Sequence, residues 1–154
     1  MKIEINILNW YDFKENSNIL LINNINKNII DLLKEKKCDI YLDLNQKQIF
    51  DYIIVFDNYE YIDEYSKYLY DDGKLLFVGN NSTGINKFSY ISKKQELSIE
   101  HSKNNLRHIF ECLNKNNFKY TNLFYVFPNI EKTELIINEK FKLKKDQILN
   151  YSPD

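Results

Sequence analysis

Phe50-Asp51-Tyr52-Ile53-Ile54-Val55-Phe56 decides how the rest of the chain is read. The run is nearly continuous in apolar and β-branched residues, as in a strand covered on both faces of a parallel sheet. A half-exposed antiparallel strand would alternate instead. Upstream, Asn18-Ile19-Leu20-Leu21-Ile22 is a second short apolar run, ending in the loop-forming pair Asn23-Asn24. Ile29, Ile30, Leu32 and Leu33 then recur at helical spacing, closed by Lys34 to Lys37, which suit a helix C-terminus. Asp39 to Leu44 reads as another strand. Downstream, Tyr61, Ile62, Tyr65, Tyr68 and Leu69 predict a helix, Asp71-Asp72-Gly73 a turn, and Lys74 to Val78 a further buried strand.

The remaining segments complete one domain over residues 1–154. Gly79 to Tyr90 is polar and loop-like, and Leu106, Ile109, Phe110 and Leu113 form a stripe within a helix expected from Lys94 to Lys115. Tyr120 to Phe127 and Thr133 to Ile137 read as two closing strands separated by Pro128. Residues 2–13, with Ile3, Ile5, Ile7 and Trp10, are expected to add an edge strand, and residues 142–154 to form a loosely held tail. Strand–helix alternation with a two-strand finish predicts a doubly wound, mostly parallel α/β sheet with mixed strand direction at one edge. Its core is expected to hold Leu20, Leu21, Ile22, Ile53, Ile54, Val55, Leu76, Phe77 and Ile109.

Composition narrows function mainly by exclusion. Charged residues make up 28% and apolar residues 44%, and the net charge is −1, so no overall pull toward nucleic acid or membrane is expected. Arg107 is the only arginine, poor equipment for bidentate phosphate or base-edge contacts. Alanine is absent, glycine occurs three times, and Asn, Ile, Lys and Tyr are in excess, which reads as the imprint of an A+T-rich genome. Cys38 and Cys112 show neither C-x-x-C nor zinc spacing. With no signal peptide and no membrane-length apolar run, a reducing cytoplasm is the expected location.

The order of these segments resembles class I S-adenosylmethionine-dependent methyltransferases over roughly residues 18 to 138. Phe50 to Val55, continuing through Tyr59-Glu60-Tyr61-Ile62, looks like the family's fourth strand and following helix. Leu69-Tyr70-Asp71-Asp72-Gly73-Lys74-Leu75-Leu76 is similar to its "leucine, proline, glycine, lysine, leucine, leucine" approach to strand five. Asn81-Ser82-Thr83-Gly84 stands where one subgroup, associated with bacterial surface-polysaccharide and glycosyltransferase proteins, carries Asn-Arg-Phe-Gly. Phe124-Tyr125-Val126-Phe127-Pro128-Asn129 is similar to that subgroup's aromatic strand ending in Pro-Asp. The resemblance implies a Rossmann-like, methyltransferase-type fold with a C-terminal antiparallel strand pair.

Two departures fall in the cofactor half. The turn Asn23-Asn24-Ile25-Asn26-Lys27-Asn28 lacks the glycines that let the family's backbone approach the cofactor. Between Leu44 and Phe50 only five residues remain where the family has a helix and a strand, although a parallel crossover normally takes about a dozen. The fold is thus expected to be truncated there. Asn23, Asn24, Asp43, Asp57 and Asn58 are the cofactor-binding candidates that the resemblance and the strand-end positions leave. Each also has a plain reading as a turn or strand-end residue.

No catalytic residue and no metal set is assigned. His108 and Cys112, four apart, share a helix face and have the composition of a nucleophilic or metal-binding pair, but an ordinary helix position and a buried thiol are the simpler reading. His101 lies two turns before His108, too far to share a metal. A phosphorylatable receiver domain would place acidic groups at Asn23-Asn24. It would also want an aspartate five positions after Asp51, whereas Asp57 is six after, on the opposite strand face. The leading expectation is a non-catalytic, methyltransferase-like interaction subunit without cofactor. Its partner is expected to be a second copy, an active methyltransferase or a glycan-assembly enzyme, through an interface at residues 38 to 50 that includes Tyr41, Leu44, Ile49 and Phe50. The alternative is a minimal active enzyme that uses S-adenosylmethionine to methylate a sugar or other small molecule.

Overall fold

The computed structural model describes residues 8–23, 26–44, 48–79, 106–128, 133–138 and 140. The elements are β1 (Asn18–Ile22), α1 (Lys27–Glu35), β2 (Asp39–Tyr41), β3 (Phe50–Phe56), α2 (Glu60–Tyr65), a 3-10 turn (Ser66–Tyr68), β4 (Leu69–Val78), α3 (Leu106–Lys115), β5 (Phe124–Pro128) and β6 (Thr133–Asn138). Four strands form an all-parallel sheet in the order β2-β1-β3-β4. The chain is a small α/β protein, and its all-parallel four-stranded sheet is compatible with a Rossmann-like frame. Residues 2–7 of the expected edge strand and the tail at 142–154 fall outside the described residues, while residues 8–13, Trp10 among them, form turns and irregular backbone and not the expected strand.

The continuous apolar runs are explained by cover on both faces. Ile19, Leu21, Tyr52, Ile54 and Phe56 turn to one side, where Ile29 and Leu33 of α1 meet them together with Leu8, Phe13 and Cys38. Leu20, Ile22, Ile53 and Val55 turn to the other, under Tyr61, Tyr65 and Tyr68. There Ile62 of α2 packs in turn on Ile109 and Leu113 of α3. All the expected core residues are buried except Leu76 and Phe77, which are half-buried on β4, the last strand of the sheet among the described residues.

Both longer helices end in the same way. After α1, the Lys37 and Cys38 N–H groups donate to Lys34 and Leu33 carbonyls. After α3, those of Asn117 and Phe118 donate to Asn114 and Leu113. Each motif turns on one left-handed residue, Lys37 at φ 58 and Asn117 at φ 61, and each seals with an apolar contact, Cys38 near Leu33 and Phe118 near Leu113. Lysine is the costly choice at such a position, because its Cβ crowds the carbonyl in left-handed geometry.

The short β2–β3 link is accounted for by strand length. Asp39–Tyr41 is a regular parallel strand paired with Asn18 to Leu20, so the expected strand to Leu44 is shorter than its sequence suggested. A three-residue strand needs little return travel, so the eight residues between β2 and β3 are enough for the link, with β1 lying between the two strands. Leu44 from this link packs beside Tyr41 on the α2 face of the sheet.

Two expectations are corrected. Asp71-Asp72-Gly73 is not a turn preceding a strand but part of β4 itself. Between Phe50 and Tyr52 of β3, β4 advances from Leu69 to Lys74, and the surplus residues bulge out. A Cβ on Gly73 would lie 2.9 Å from the Tyr70 carbonyl oxygen, so the bulge closes only around glycine. Second, β5 and β6 pair antiparallel with each other but form a separate two-stranded sheet, so among the described residues the expected mixed edge is absent.

Lys37→Gly is expected to raise stability by about 0.5–1 kcal/mol in urea unfolding. The exposed Lys37–Glu15 pair that it removes contributes little. Gly73→Ala is expected to cost about 1–3 kcal/mol, as overpacked sites do.

Candidate functional site

In the parallel sheet, α1 leaves β1 toward one face and α2 leaves β3 toward the other. The C-terminal ends of β1 and β3 therefore flank the topological switch point, where open α/β sheets take ligands. Asn23 and Asp57 are the first residues past these strands, and both are left-handed, at φ 62 and φ 63. Asparagine and aspartate tolerate this geometry better than most side chains, so each strand turns sharply without glycine.

A clasp of hydrogen bonds joins the strand ends at the switch point. The Asn23 side-chain amide donates to the Phe56 carbonyl at 3.0 Å, and the Asn58 backbone N–H donates to the same oxygen at 2.8 Å. The Asp57 N–H donates to the Val78 carbonyl at 2.9 Å. The ends of β1, β3 and β4 are thereby tied together through a few consecutive peptide units. The Asn58 side-chain oxygen accepts from the Glu60 N–H at 3.1 Å, fixing the start of α2. On the other side, Asn26 caps α1 by accepting from the Asn28 N–H at 2.9 Å.

The candidates thus divide. Asn23, Asp57 and Asn58 are brought together, with Asn23 and Asp57 exposed and Asn58 half-buried. Asp43 sits exposed in the β2–β3 link, and no hydrogen bond joins it to the clasp among the described residues. Asn24 lies outside the described residues. Sequence reading located the strand ends but not the bond from Asn23 to Phe56, since a bond between residues 33 apart has no local signature.

His108 is exposed and its ring stands 5.9 Å from that of Tyr59. Burial, and next the negative charge of Asp63, push the Cys112 thiol up, which opposes thiolate chemistry. No group of three or more His, Cys, Asp or Glu side chains suited to a metal ion occurs among the described residues. His101 lies outside them. Asp63 instead anchors α2 to α3. It accepts from Lys115 Nζ at 2.8 Å and from the Asn116 amide, while Ser66 Oγ lies 2.8 Å from Asn116 Oδ1. The Lys115 hydrogen bond, with help from Asn116 and against burial, holds the Asp63 carboxyl below its ordinary value.

A groove missed at the sequence level, with a volume of about 760 Å³, runs beside β4. Its walls are Lys74 to Val78 on one side and residues 116–120 with Phe124 on the other, and Trp10 stacks on Phe124 with centroids 4.7 Å apart. These residues come from distant parts of the chain, so no motif announces them. Among the described residues no helix is long and apolar enough to cross a membrane. No protein-family model, curated protein or solved structure matches the chain.

Asn23→Gly removes only the clasp bond and keeps left-handed freedom, whereas Asn23→Ala loses both. The alanine variant is expected to be less stable than the glycine variant by about 1 kcal/mol in chemical unfolding. A lowered carboxyl pKa means that Asp63 stabilises the fold above its unfolded value, and that this contribution is lost as pH falls through the lowered folded value. Acid titration below about pH 4 should therefore loosen α3, and Asp63→Asn should flatten that part of the stability profile.

Proposed function

We propose that this chain is a non-catalytic, methyltransferase-like interaction module whose switch point no longer serves as a cofactor pocket. The observation that carries this reading is the bond from the Asn23 amide to the Phe56 carbonyl. A nucleoside cofactor seated in the usual way needs the first strand–helix turn to come close through glycine. Here a side chain fills that approach and spends its amide on the neighbouring strand. Seating a cofactor would break the Asn23 bond and leave the Phe56 carbonyl with the Asn58 N–H as its donor, and losing that bond works against binding.

Interaction in place of chemistry is supported by the truncated edge. Strand β2 ends the sheet, and beside it Leu42 is 42% and Ile49 is 45% exposed. Tyr41 and Leu44 are partly covered. Phe50 leaves the proposed contact set, because it is fully buried against Tyr41 with ring centroids 5.5 Å apart. The partner is a second copy, an active methyltransferase or a glycan-assembly enzyme, the last two by resemblance alone. A reducing cytoplasmic setting, in keeping with the free thiols of Cys38 and Cys112, belongs to the same proposal.

Titration with S-adenosylmethionine to millimolar concentration is expected to leave the melting temperature unchanged. A ligand at a hundred times its Kd would stabilise by about 2.7 kcal/mol, a visible shift. Saturable micromolar binding by calorimetry would overturn the proposal in favour of an active methyltransferase. Light scattering coupled to gel filtration tests the homodimer, which Leu42→Lys and Ile49→Lys are expected to weaken while the fold persists.

A further inference from the structure

We draw no further inference here: the strongest candidate, the groove beside β4 lined by Lys74 to Val78, Trp10 and Phe124, carries nothing because nothing among the described residues shows what covers it.

Discussion

Strand β3 is bonded along both edges, to β1 and to β4, and covered on both faces, by α1 and by α2. Ile53, Ile54 and Val55 are completely buried. A strand in that position cannot carry a polar side chain without a partner, because an unpaired buried polar group costs about 1–3 kcal/mol. Asp51, just before the fully enclosed stretch, complies by accepting from the Asn18 N–H at 2.8 Å, which also aligns the start of β1. Everything else is placed relative to this strand, including the switch point at its C-terminal end.

The clasp and the short link after β2 are two expressions of one economy of backbone. With glycine absent from the first strand–helix turn, the sharp reversal after β1 is made by asparagine, and the same amide satisfies a carbonyl on β3. The link after β2 is eight residues long, β2 itself is three, and among the described residues the sheet ends there. At the strand ends, where open α/β sheets take ligands, hydrogen bonds here join β1, β3 and β4. What remains exposed lies along the two edges, at Leu42 and Ile49 by β2 and in the groove by β4.

The same logic explains why α3 is held differently from α1. Helix α1 lies directly on the sheet through Ile29 and Leu33, both fully buried. Helix α3 reaches the sheet largely over α2, and Ile109 and Leu113 retain 8% exposure each. Its remaining attachment is the polar set of Asp63, Ser66, Lys115 and Asn116, which responds to acid where an apolar contact would not.

The runs at 18–22 and 50–56, the helical stripe at Ile29 to Leu33 and the parallel class were legible in the sequence. Burial on both faces leaves a continuous apolar signature that no other arrangement of short strands requires. Periodicity also located Ile109 and Leu113 on a helix. It could not tell that Asp71 to Gly73 bulge within a strand, since turn-forming residues look alike whether the chain reverses or carries on. Nor could it show that β2 stops at Tyr41, since Leu42 to Leu44 continue the same sequence pattern. Asn23, Asp57 and Asn58 were recognisable as strand-end residues, but not as a closed clasp. That distinction, like the groove made by Trp10, Lys74 to Val78 and Phe124, depends on residues far apart in the chain meeting in space. Local pattern reports what a segment buries, and only the tertiary structure decides against what.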